Sequence, residues 1–287
     1  YVNHRLREKH ELEREEQLNR ENCAHMHVPL IIERLEPHEV QRLARQRGNG
    51  IEEAACTLRY RILEKRRIEL GFDYIATAHT ADDQSETLLM RLLQGAGPYS
   101  LQGIAERRER IIRPMLGLTR AQIEAIVRTE SLQWSVDSTN TDTRYLRNSV
   151  RHTLIPVIAE LFPAYRQSLQ QVATRSAEAV QLLEPMVQQV LNEAVAVFDG
   201  SVRIDTARLK RYGESVRAVT ERVVYHGWSF LNDAEGRRLP HRIVNRICEM
   251  LELPMASPEV IRYGETEARR YEDHLIWRKR SGALAEG

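Results

Sequence analysis

The sequence predicts an α/β fold: a parallel-sheet domain over residues 1–162, then a smaller, mainly helical domain over 163–287 with a C-terminal hairpin. Three observations carry this. Apolar runs of strand length alternate with helix-length amphipathic segments through the first half of the chain. One of these units, Tyr74–Leu93, reads as strand, tight polar loop and helix. After Phe162-Pro163 the alternation stops.

In chain order, Tyr1–Asn3 reads as the end of a strand entering the polar segment His4–Arg7, so the chain is expected to begin inside a domain. A charged helix from Glu8 to His25 and a strand-like run from Val28 to Leu35 complete a strand–helix–strand crossover. Gly48-Asn49-Gly50 breaks the pattern before a long amphipathic helix from Ile51 to Leu70. In the next unit Ile75, Ala76 and Ala78 form the strand, and Leu88, Leu89, Leu92 and Leu93 share one helical face. Ile111-Ile112 precedes Arg113-Pro114, and Thr119 caps a helix that buries Ile123, Ile126 and Val127. Trp134 to Asp142 is a turn-rich loop. Residues 164–198 read as helical throughout, 201–205 as a short strand, 206–225 and 240–252 as helices, and 259–279 as a hairpin turning near Glu272-Asp273.

Composition narrows the function classes. The 42 basic and 41 acidic residues nearly cancel, so no global field marks a nucleic-acid binder. Cys23, Cys56 and Cys248 lie far apart, which excludes a CxxC-based metal centre and a disulfide framework. No apolar run approaches membrane-spanning length and no signal peptide is evident, so a cytoplasmic protein without membrane contact is expected.

The chemistry concentrates in the loop after Ile75-Ala76, where His79, Asp82, Asp83 and Glu86 fall within eight residues. Open α/β folds collect ligands at this kind of position, outside the carboxyl end of a strand. Asp83-x-x-Glu86 ahead of an apolar run also has the form of a capping box, which explains two acids but not His79. Further on, arginines outnumber acids between Leu101 and Pro156. Arg147 and Arg151, four apart, place two forks on one helical face. That spacing suits a phosphate or nucleotide, and equally a solvated basic face.

Four blocks of these residues resemble the tRNA(Ile)-lysidine synthase family, of the N-type ATP pyrophosphatase (PP-loop) superfamily. Val2-Asn3-His4-Arg5-Leu6-Arg7 is similar to its VxHxLR segment, and Glu52 through Arg59-Tyr60 to its ExxARxxRY helix. His79-Thr-Ala-Asp82-Asp83-Gln84-Ser-Glu86-Thr87 is similar to HxxDDQxET. Asp137-Ser-Thr-Asn140-Thr-Asp142, with Tyr145, Arg147, Asn148, Arg151 and Pro156, resembles the DxSNxD…YxRNxxR…P block. Cys56 stands at a usual arginine, and Thr139 replaces a serine. The family's SGGxDS pyrophosphate loop would lie ahead of Tyr1.

The resemblance implies an adenine-nucleotide α-hydrolase-like fold and ATP-dependent ligation of free L-lysine to C2 of the wobble cytidine of tRNA(Ile) with a CAU anticodon. It implies ATP and Mg²⁺ as cofactors and leaves a homodimer open. Asp83, Glu86 and His79 are then the candidate catalytic residues, with Asp83 also the metal ligand. Arg59, Asp82, Arg151 and His4 would bind the nucleotide, and Arg113, Arg147, Asn148 and Glu52 the substrate or tRNA. The incoming lysine amine, with an ordinary pKa of about 10.4, needs a base; Glu86, Asp83 and His79 all qualify. Two competing readings are another PP-loop RNA modifier such as a wobble-base thiolase, and a non-catalytic RNA-binding remnant. The scattered cysteines count against the first.

Overall fold

A computed structural model describes residues 1–47, 50–134, 146–198, 200–213, 217–232, 239–252 and 259–280. The chain divides into two compact units. The first comprises Tyr1–Met90 and Gly103–Gln170, the second Arg91–Gln102 and Gln171–Gly287. The loop 135–145, with Asp137, Asn140, Asp142 and Tyr145 of the fourth block, lies outside the described residues.

In the first unit, β1 (Val2–Asn3) runs parallel to β2 (Glu33–Arg34) after the helix Lys9–His25. Only these two residues of the apolar run Val28–Leu35 form a strand, because that is the length β1 can pair. The helix Ile51–Glu69 packs Ala54, Ala55 and Leu58 against Leu35, Val40 and Ala44. Then β3 (Ile75–Ala76) pairs in parallel with β5 (Ile111–Ile112), which pairs antiparallel with β4 (Arg107–Arg108). The parallel pairs and the crossover helix match the expected α/β class.

The helix after β3 spans Ala81–Leu93. Leu88 and Leu89 are buried, but Leu92 and Leu93 are exposed at its C-terminal end, so the apolar stripe is shorter than predicted. Thr119 caps the helix Arg120–Thr129 in a capping box with Gln122, in keeping with its position in the sequence. Ile126, expected to be buried in that helix, is exposed. The segment carrying Arg147 and Arg151 is continuous: an α-helix Leu146–Ser149, a π-helical turn Val150–Leu154, and an α-helix Ile155–Leu161. Pro156 accounts for the wide turn. It has no N–H to offer four residues back, and its ring crowds that carbonyl. The Ile155 N–H reaches Val150 O instead, five residues back.

The second unit pairs its helices with more sheet than the predicted hairpin. The helix Tyr165–Ala194, which begins in the first unit, gives way to β6 (Val195–Phe198), where the sequence predicts helix up to residue 198. Three of these four residues are β-branched or aromatic and find a partner strand in β7 (Ser201–Asp205). β8 (Val260–Tyr263), β9 (Thr266–Arg270) and β10 (His274–Lys279) complete an antiparallel sheet of order β6-β7-β10-β9-β8. Its inner face, with Val202, Ile204, Ile261, Ala268, Leu275 and Trp277, joins buried side chains of the helices Arg217–Asn232 and His241–Glu252 in one core. No helix among the described residues is long and apolar enough to cross a membrane.

Gly103 is a point where backbone freedom is required. Its φ is +77°, and a Cβ there would fall 2.6 Å from the Gln84 side chain. Gln84 is buried and bonds the Ile104 backbone twice, accepting from its N–H at 2.6 Å and donating to its carbonyl at 3.2 Å. Gly103→Ala is expected to destabilise the protein by about 2 kcal/mol, measured by urea unfolding.

Candidate functional site

Three site residues follow directly from strand geometry. His4 follows β1, His79 lies three residues after β3, and Arg113 follows β5, each beyond the carboxyl end of a parallel-paired strand. The chain turns sharply after β1. Arg5 sits at φ +51° with its N–H bonded to Asn3 Oδ1, while Asn3 Nδ2 donates to buried Glu16 at 2.8 Å.

The helix Ala81–Leu93 begins earlier than a cap at Asp83 requires. Its cap is Thr80, whose N–H and hydroxyl donate to Asp83 Oδ2 at 2.8 and 2.9 Å. The Asp83 N–H returns a bond to Thr80 Oγ1 at 3.3 Å. The capping box is therefore Thr80–Asp83, not Asp83–Glu86. Glu86 is left free for another purpose, one turn into the helix and 1% exposed.

That purpose is ionic. Arg147 donates through Nε to Glu86 Oε2 at 2.8 Å and through Nη2 to Asp83 Oδ1 at 3.0 Å. Arg151 donates through Nε to Glu86 Oε1 at 2.5 Å and through Nη2 to Glu86 Oε2 at 3.0 Å. Its Nη2 also reaches Asp83 Oδ1 at 3.5 Å. Two carboxylates and two guanidiniums thus form a closed, charge-balanced cluster. The hydrogen bond to Glu86 is the main cause holding Arg151 above the ordinary arginine range. Burying Glu86 without these donors would carry a desolvation cost of several kcal/mol.

Asp82 turns to other partners. Its Oδ2 accepts from the Arg120 backbone N–H, and its Oδ1 pairs with Arg166, both at 2.7 Å. Burial works to raise its pKa, but these two donors outweigh burial and hold it below the usual carboxylate range. Sequence patterning misses Arg166. It lies eighty-four residues from Asp82, and no spacing signal connects them.

His79 Nδ1 lies 3.0 Å from Thr77 Oγ1. Partial burial is the first cause depressing its pKa, and the nearby Arg113 cation the second. Arg59 Nε donates to His4 Nε2 at 3.3 Å. Burial, reinforced by Arg59, pushes the His4 imidazole down to about 4. Arg113 anchors through Nη1 to Ala105 O at 2.6 Å. Asn148 sits beside Arg147 in the helix Leu146–Ser149, and Glu52 is exposed in the first turn of the helix Ile51–Glu69. The structure thus joins Asp83, Glu86, Arg147 and Arg151 directly and pairs His4 with Arg59. Asp82 stands in a separate ion pair, and no bond among the described residues ties Glu52 to the cluster.

The two oxygens of Asp83, the candidate metal ligand, accept from Arg147, Arg151 and Thr80.

A family model described as a PP-loop domain matches residues 1–158. A tRNA(Ile)-lysidine synthase of Treponema denticola is 41% identical over 58% of this chain and 36% of its own length. One from Ralstonia nicotianae is 43% identical over 51% of this chain and 32% of its own. One from Enterobacter is 31% identical over 90% of this chain and 57% of its own. The chain therefore spans from 32% to 57% of the length of these relatives.

The His4 environment yields a sign-definite expectation. Its folded pKa, about 4, lies below the ordinary 6.5, so the unfolded chain binds the extra proton between those values. The stabilising contribution is present above pH 6.5 and is lost as pH falls toward 4. An NMR titration of the ring carbons should find His4 neutral at pH 5.5; a midpoint near 6.5 would refute the geometry.

Proposed function

Because the chain belongs to the PP-loop family, we propose that it carries the ATP-dependent ligation of lysine to the wobble cytidine of tRNA(Ile). The observation that carries this reading is the alignment over 90% of the chain with a tRNA(Ile)-lysidine synthase. The acid–guanidinium cluster supports it chemically. Residues 1–162 are assigned to ATP binding and the chemistry, and 163–287 to RNA recognition.

In the first step the cytidine C2 oxygen attacks the α-phosphate of ATP and the bond to pyrophosphate breaks, leaving an adenylated tRNA. Negative charge gathers on the phosphoryl oxygens, and preorganised cations are the effective response to it. Arg147 and Arg151 supply such cations, positioned in advance by Glu86 and Asp83. In the second step the lysine ε-nitrogen forms a bond to C2, and AMP departs with the former C2 oxygen. The amine must lose a proton on the way. Asp83 is the proposed acceptor: it is the more accessible of the two acids, at 21% side-chain exposure against 1% for Glu86. His79, kept neutral by burial and Arg113, is a second acceptor. Magnesium would be held by Asp83 together with the nucleotide phosphates.

Two substitutions in the full-length protein test this assignment. Asp83→Asn should lower lysine incorporation into a tRNA(Ile) transcript by about a hundredfold or more, with the fold retained by circular dichroism. Near-normal turnover would remove Asp83 from the chemistry. Arg151→Ala should raise the KM for ATP or tRNA, and unchanged values for both would remove it from the site.

A further inference from the structure

The five-stranded sheet of the second unit has an outer face that its core does not use. Cross-strand partners share a face, so the registers define that surface. One row runs Ala196, Arg203, Ile276, Arg269, Val260 across β6, β7, β10, β9 and β8. The next runs Phe198, Ser201, Arg278, Glu267, Arg262. The alternate positions on the same strands, such as Val202, Ile204, Leu275 and Trp277, are fully buried against the helices.

The outer face is therefore an arginine array. The side chains of Arg203, Arg262 and Arg278 are 45%, 63% and 48% exposed. Glu267 lies between two of them, accepting from Arg278 Nε and Nη2 at 3.0 and 2.8 Å and lying 3.7 Å from Arg262 Nε. Asp273, in the turn before β10, lies 3.6 Å from Arg203 Nη2. An acid that orients two guanidiniums leaves the surface positive and its forks ordered. Exposed Phe198 at the β6 edge and the stacked Tyr271–His274 rings, 4.7 Å apart, add aromatic surface.

We propose that this sheet face is a contact surface for the RNA substrate, with Arg203, Arg262 and Arg278 on backbone phosphates. The proposal rests on RNA being the substrate, as argued above. Charge complementarity selects the partner: with Arg269, four arginines on the strands of this face meet three acids, Asp205 and Glu267 on the strands and Asp273 in the turn before β10, which leaves the face positive. Planar guanidiniums on a rigid sheet suit phosphate oxygens, and the flanking rings suit unstacked bases. Because phosphates carry the interaction, it reads RNA shape more than sequence.

The test measures binding of the full chain to an unmodified tRNA transcript with a CAU anticodon by fluorescence anisotropy, across a salt series. The double variant Arg203→Gln/Arg262→Gln should bind about tenfold more weakly near 0.15 M salt, with the log–log salt slope shallower by about 1.5. Its unfolding midpoint should match the parent's, since both side chains are exposed. Arg203→Lys/Arg262→Lys should recover most of the affinity. If the parent binds and the glutamine variant matches it in affinity and slope, the sheet face is not an RNA surface and the proposed function stands untouched. If the parent binds no tRNA, both readings fall together.

Discussion

The candidate site depends on one buried carboxylate. Glu86 is almost fully enclosed, and an unpaired charge there would be too costly to keep. It is tolerable only because Arg147 and Arg151 turn their guanidinium edges toward it. The constraint works in both directions. The same contacts fix the two forks, which would otherwise be long, freely rotating side chains, and bring them to Asp83. A cluster of this kind contributes little net stability, since desolvation offsets most of the Coulomb gain. Its value is positional: charges held ready for a reaction that develops negative charge.

Local backbone chemistry supports the arrangement from below. Thr80 caps the helix and engages one oxygen of Asp83, which leaves the other to the arginines. Arg147 stands in the α-helix Leu146–Ser149 and Arg151 in the π-helical turn Val150–Leu154 that precedes Pro156. On the strand side, His4, His79 and Arg113 emerge where parallel strands end, so sheet pairing decides where these groups begin. The two imidazoles are kept neutral by burial and neighbouring cations, available as hydrogen-bonding groups near neutral pH.

The second unit is built by a different rule. Alternation along β7 and β10 sends Val202, Ile204, Leu275 and Trp277 into the core and Arg203 and Arg278 outward, and Glu267 orders part of the outer row. The helices bury the inner face, and Arg203, Arg262 and Arg278 stand exposed on the outer one.

Much of this is legible in the sequence. The strand–loop–helix unit around Ile75, the Thr119 cap and the approximate helix limits follow from periodicity and capping residues, which act over a few positions. The concentration of His79, Asp82, Asp83 and Glu86 in one loop marks the site on residue type and spacing alone. What the sequence does not decide is partnership. Whether Asp83 and Glu86 form a capping box or half of an ion cluster depends on where the helix begins, and on arginines more than sixty residues away. The Asp82–Arg166 pair and the strand formed by Val195–Phe198 share that origin, since each needs a partner supplied by another part of the chain. Local propensity is written along the sequence, whereas the burial that forces Glu86 to find two cations exists only once the chain has folded.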